Sequence, residues 1–107
     1  MKRVRNHIVI QKWKAGEEAE NHRGSLSSVA WADGTTELWS YELKIGHRTR
    51  SGACVLADFT ARTGNFKSVT TSTHVNLAKK ANDRPLVMHP LVWRESPVSN
   101  SHLAKPF

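Results

Sequence analysis

Between Trp39 and Ile45 every second residue is apolar: Trp39, Tyr41, Leu43 and Ile45 alternate with Ser40, Glu42 and Lys44. A period of two sends alternate side chains to opposite faces of a strand. It predicts a strand from Thr36 to His47 with one buried and one wet face. Just upstream, Asp33-Gly34 separates this run from Ser25 to Ala32, which carries Leu26, Val29 and Trp31. Asp-Gly between two patterned runs signals a hairpin, because a type I′ turn wants positive φ at both central residues. The centre of the chain is therefore constrained to paired β-structure.

Other segments read against that centre. Gly46 to Gly52 is a turn region. Ala53 to Ala61 puts Val55, Ala57 and Phe59 on one face, and Cys54, Leu56 and Asp58 on the other. Val4, Ile8 and Ile10 alternate loosely and Trp13 closes their run, which predicts a first strand over residues 4–13. Ala15 to Gly24 is polar and acidic, has no apolar period, and reads as a loop. Phe66 to Val69 fits a short further strand. The links between these strands look too short for parallel crossovers.

One helix follows. Thr70, Thr71 or Ser72 can cap it, and Val69 with Val75 can form a hydrophobic staple. Val75, Ala78 and Ala81 share a face. Lys79 and Lys80 fall in the last turn, where the helix dipole favours cations. Asn82-Asp83-Arg84-Pro85 ends the helix. Leu86 to Trp93, broken by Pro90, reads as an edge strand or packing segment. With 107 residues, one domain is expected. The expected fold is α+β: an antiparallel meander of four to five strands with one short helix on one face, over residues 1–93, and a polar tail over 94–107.

The helix start carries a resemblance. Leu38-Trp39-Ser40-Tyr41 and Phe66-Lys67-Ser68-Val69-Thr70-Thr71-Ser72-Thr73-His74-Val75-Asn76 resemble a family of short proteins encoded by bacteriophages and prophages, of unassigned function. In that family an S-Y-x-T-x-V strand is followed, after a hairpin, by Y-S-V-T-T-S-x-H-I-N. The likeness covers about residues 38–81, and the chain departs from it in the Arg- and Thr-rich stretch between Thr49 and Asn65. The resemblance implies a viral or mobile-element origin and a small sheet-plus-helix domain. It carries over no catalytic residue.

Charge points to the partner. The net charge is +7, and it is uneven. Lys2, Arg3, Arg5, Lys12 and Lys14 lie in an acid-free leader. Lys44, Arg48, Arg50, Arg62, Lys67, Lys79 and Lys80 face Asp58 alone, and the acids gather at Glu17, Glu18 and Glu20. Such an imbalance suits a polyanion. Trp13 between Lys12 and Lys14 matches the aromatic-among-cations pattern of single-strand binders; the plainer alternative is that it packs over the sheet. The hydroxyls of Thr70, Thr71 and Ser72, with Lys67 and His74, can form an anion site at the helix N-terminus, or they can merely cap it.

These residues predict a non-enzymatic nucleic-acid binder. The alternative is an inhibitor that docks its basic surface on a host enzyme or defence nuclease. A hydrolase centred on Ser68 and His74 ranks last. A homodimer through a sheet edge is compatible with either binder. Six histidines without the i, i+4 spacing of a helical metal pair, and a single cysteine, Cys54, predict no metal site and no cofactor. No apolar run reaches membrane-spanning length, and Ile8-Val9-Ile10 is too short for a signal peptide, so a cytoplasmic location is expected.

Overall fold

The computed structural model describes residues 3–41, 43–58, 69–82, 86–89 and 92–93. The expected strand at Phe66, the Pro90 break and the 94–107 tail lie outside these residues. The order is β1 (Arg3–Val4), α1 (Asn6–Lys14), β2 (Ala19–Asn21), β3 (Leu26–Ala30), β4 (Thr36–Ser40), β5 (Leu43–Arg48), β6 (Cys54–Ala57), α2 (Val69–Lys80) and β7 (Leu86–Met88). The fold is α+β. Among the described residues its sheet has seven strands in chain order, not four or five, and it carries two helices, not one.

The first correction concerns the strand expected over residues 4–13: Val4 ends β1, and from Asn6 onward the chain is a helix. The alternation Val4, Ile8, Ile10 passed over Val9. Val9, Ile10 and Trp13 are the residues α1 buries, and their spacing of three and four is that of one helix face. The second concerns residues 15–24, where β2 stands in place of a loop. Three residues are too few for a strand period to show.

The sheet is also not a pure meander. β1 pairs with β2 and β6 with β7 in parallel, while the four pairings between them are antiparallel. Each parallel pair has a helix in its connection, as parallel strands require. The central hairpin stands where Asp33-Gly34 predicted it, but the turn is not type I′. Gly34 takes φ 90°. Asp33 Oδ1 instead accepts from the Thr35 N–H at 3.0 Å and the Thr35 hydroxyl at 2.6 Å.

The predicted strand from Thr36 to His47 is two strands. Ser40 pairs with Leu43, so the chain reverses through a two-residue turn. Tyr41 sits there at φ 54°, a left-handed conformation that costs about 1–2 kcal/mol without glycine. The apolar period runs on through the reversal in sequence, but Trp39 pairs with Lys44 and Ile45 belongs to the core under the helices, and the pairing shifts register between Leu38 and Trp39. Both faces of β4 are buried, so the expected wet face is absent.

On one face both helices pack. Val9, Ile10 and Trp13 of α1 and Val75 and Ala78 of α2 share a core with Leu26, Leu38, Ile45 and Leu56. Trp13 is fully buried, and its indole Nε1–H donates to the Thr36 carbonyl at 3.0 Å. The ring lies on Gly46: a Cβ there would stand 3.0 Å from Trp13 Cζ2, 3.1 Å from Leu38 Cβ and 3.2 Å from Leu56 Cδ2. The opposite face is a polar layer, with Ser27, Glu37, Lys44 and His47 buried beside Val29 and Trp39. Lys44 Nζ meets Glu37 Oε2 at 2.6 Å, Trp39 Nε1–H donates to Glu37 Oε1 at 3.2 Å, and the ammonium stands 5.9 Å from the Trp93 ring. Burial pulls the Lys44 pKa down, against the opposing hydrogen bond to Glu37.

Two outcomes are expected in denaturant melts. Gly46→Ala costs about 1–3 kcal/mol by overpacking, although its backbone is open to any L-residue; an unchanged midpoint refutes the contact. Lys44→Met alone costs about 3–5 kcal/mol by leaving Glu37 buried and unpaired, and a Glu37→Leu/Lys44→Met double variant recovers most of that loss.

Candidate functional site

α1 begins at Asn6, and its first helical bonds run from the Ile8 and Val9 N–H groups to the Arg5 carbonyl. No side chain caps it, and neither helix has an acidic residue in its first turn. β1 leads into α1 and β6 precedes α2, so both helices start at the same end of the sheet, where β3 begins and β4 ends. Between the helix starts lies a cleft of about 380 Å³, lined by Val4, Arg5, Asn6, Asn21, His22, Arg23, Ser25, Thr70 and His74. No lining residue is acidic.

Asn21 builds one wall. Its Oδ1 accepts from the Ser25 N–H at 2.8 Å and the Leu26 N–H at 3.2 Å. Its Nδ2 donates to Asn6 Oδ1 at 2.8 Å and Ser25 Oγ at 2.9 Å. One buried amide thereby fixes the β2–β3 turn and ties it to the first residue of α1. That turn presents the exposed side chains of His22 and Arg23.

The other wall comes from α2. Ser40 Oγ lies 2.8 Å from His74 Nδ1 and 3.0 Å from Thr71 Oγ1. Ser40 has one hydroxyl proton, so two arrangements satisfy this chain. In one, Thr71 donates to Ser40 and Ser40 to Nδ1, which leaves the His74 Nε2–H as a donor. In the other, the ring donates from Nδ1 and Ser40 donates to Thr71. An anion in the cleft selects the first. Burial holds the His74 pKa below the usual 6.5, so the ring is neutral at pH 7.

Of the residues singled out in the sequence, Arg5, Thr70 and His74 line this cleft. Thr71 supports it from within the core. The expected cap at Thr70, Thr71 or Ser72 is corrected, since all three lie inside a helix that has already started at Val69. Arg3 is at the same end, 3.8 Å from Glu20, and donates to the His22 carbonyl. Lys2 and Lys67 lie outside the described residues, as does Ser68.

The remaining cations do not join it. Trp13 is in the core and presents no face to a base. Lys44 is buried against Glu37 and reaches no phosphate. Both are withdrawn from the surface, Trp13 on the face of α1 that packs on the sheet and Lys44 in the buried polar layer on the sheet's other face. Lys12 pairs with Glu17 at 3.3 Å, and Lys79 with Asp58 at 2.5 Å. Lys14 Nζ donates to the Ala81 carbonyl at 2.5 Å. Lys14, Arg48 and Lys80 are the last residues of α1, β5 and α2, and Arg50 follows β5, so all four lie toward the opposite end of the sheet. Arg48 is half-buried, and its enclosed Nε has no hydrogen-bond partner among the described residues. Burial pushes the Cys54 thiol up against the pull of Lys14 and Arg48, which leaves it a weak nucleophile.

No family model matches the chain, and no curated protein and no solved structure is significantly similar to it. The chemistry of the cleft must speak for itself. It offers two guanidinium groups, an imidazole, amide and hydroxyl groups and two uncapped or acid-free helix starts, all of which favour an anion. Among the described residues no group of three His, Cys, Asp or Glu side chains comes together to hold a metal ion.

Sequence reasoning missed Asn6, Asn21, His22, Arg23, Ser25 and Ser40. A helical reading of Val9, Ile10 and Trp13 would have marked Arg5-Asn6 as a helix start. The two stretches that carry the resemblance contain Ser40 and His74, but no local pattern puts these residues, 34 apart, in contact.

The neutral His74 has a consequence for stability. Its folded pKa is lowered, so below about pH 6.5 the unfolded chain binds more protons and stability falls with pH. Above that value the penalty is absent. Thermal melts of the parent are expected to lose more stability between pH 7 and 5 than those of His74→Asn. Equal slopes would show that the ring does not titrate differently on folding.

Proposed function

We propose that the protein binds nucleic acid through this cleft, with Arg5 and Arg23 contacting phosphates. The observation that carries the reading is the coincidence, at one end of the sheet, of two helix starts, two exposed arginines and a concave lining without acid. Helix N-termini and guanidinium groups both select phosphate oxygens. Neither arginine is in an ion pair among the described residues, whereas Arg3, Lys12, Lys44 and Lys79 are. The reading is of a binder and not an enzyme, because the hydroxyl beside His74 belongs to Ser40, which is fully buried and out of reach of a substrate. The motif at Ser68–Asn76 supports an accessory protein of phage type, working in the cytoplasm of a bacterial host. No helix among the described residues is long and apolar enough to cross a membrane.

A second reading, docking on a host protein, draws support from β7. Leu86 and Val87 are exposed on that edge strand, and an exposed apolar edge is a template for another chain.

Salt separates the two. For nucleic acid, log Kd against log salt has a slope set by the number of phosphates neutralised. Arg5→Ala and Arg23→Ala are each expected to weaken binding to all sequences and to lower that slope by about 1. Fluorescence anisotropy with short DNA and RNA at several salt concentrations measures both. No binding at physiological salt, or slopes untouched by both substitutions, removes the nucleic-acid reading and leaves the docking one.

A further inference from the structure

Tyr41 breaks a local rule beside the cleft. It holds the first central position of the two-residue β4–β5 turn, where Asn, Asp or Gly is the usual choice. It is the one non-glycine residue with positive φ among those described. Its side chain is 51% exposed, so the ring is not held there by core packing. Residues in strained backbone conformations cluster at binding sites, where the surrounding structure enforces them.

Tyr41 is joined to two residues of the cleft, to Ser25 directly and to His74 through Ser40. Its N–H donates to the Ser25 carbonyl at 2.8 Å, and Ser25 lines the cleft. Its chain neighbour Ser40 holds the His74 ring and the Thr71 hydroxyl. The turn thus carries an exposed aromatic residue one hydrogen bond from the wall of a cavity that Arg5 and Arg23 make positive. An aromatic face next to cations is how single strands are held: bases stack on the ring while the cations track the backbone. Bases inside a duplex are already stacked on one another and are not offered to a side chain.

We propose that the cleft selects single-stranded over double-stranded nucleic acid, with one base stacked on Tyr41 and an adjoining phosphate held by Arg5 and Arg23. This rests on the nucleic-acid reading above and adds the strand form and the stacking residue to it. The volume of about 380 Å³ lies at the small end of ligand sites, so it takes a phosphate and its near neighbours and leaves the base outside.

The test uses the full chain and a fluorescein-labelled oligothymidylate, with a hairpin duplex of equal phosphate number beside it. Tyr41→Gly removes the ring at a position where glycine is the favoured residue, so the variant is expected to fold and to melt at or above the parent temperature. It is expected to bind the single strand about 5- to 150-fold more weakly, the span of one lost base stack, while Tyr41→Phe stays within about twofold of the parent. Duplex binding is expected to be unchanged in both. If Tyr41→Gly holds the single strand as tightly as the parent, or the parent prefers the duplex, the proposal is overturned. That failure is separable from failure of the broader reading. In the first case the parent still binds and Arg5→Ala/Arg23→Ala still weakens it. In the second the parent binds neither strand form.

Discussion

The indole of Trp13 lying on Gly46 is the contact on which the helical side of the sheet depends. It sets the distance between α1 and the central strands, because the ring meets bare backbone with no side chain between. Its Nε1–H reaches the Thr36 carbonyl, so the one polar atom of a fully buried residue is satisfied. Losing such a ring costs about 3–5 kcal/mol, a large part of the stability of a chain this small. Leu38 and Leu56 close on Gly46 from its neighbouring strands. The same three-strand contact therefore aligns α1 with β4, β5 and β6.

Once α1 is fixed there, the site follows from topology. α1 leaves the carboxyl end of β1 and α2 lies beyond the carboxyl end of β6, each on the way to a parallel neighbour. Both helix starts come to one end of the sheet, where ligands gather in open sheets with helical crossovers. Lysines in the last turns go to the other end, since the helix ends point there. Net charge alone suggested one basic surface. Pairing and burial divide it, and among the described residues the exposed cations without an ion pair at the end of the sheet where the helices start are Arg5 and Arg23.

The α+β class and the central hairpin were legible because each had a local signal: the Asp33-Gly34 turn and the apolar face of α2. Two short strands at one edge were not. β1 and β2 have two and three residues, shorter than any period can reveal, and they exist because a neighbouring strand supplies their hydrogen bonds, whereas β7 stands at the other edge, where Leu86 to Trp93 read as an edge strand. α1 was misread because Ile8 and Ile10 imitate a strand when Val9 is passed over. Lys44 was misread because its place in a period of two predicted water, whereas Glu37 on the paired strand receives it in the interior. The cleft needs Asn6, Asn21, Ser40 and His74 together, and those contacts span 15 and 34 residues. Only the folded register brings them into reach.

The two faces of the sheet suggest why the turn at Tyr41 is tolerated. On the helical face Ser40 is bound to His74 and Thr71, and on the other Trp39 is bound to Glu37. The last two residues of β4 are thus fixed from both sides before the chain reverses. Ser40 pairs with Leu43, and the Tyr41 N–H is taken by Ser25. With these bonds made, the reversal must begin at residue 41 whatever side chain stands there. A strain of about 1–2 kcal/mol is smaller than the combined cost of breaking several buried hydrogen bonds, each worth about 1 kcal/mol or more when its partner is left unsatisfied. The fold therefore sets the position of the turn and leaves its side chain free for another role. An exposed aromatic residue there, in place of a glycine that the backbone would prefer, is then a feature that folding alone does not explain.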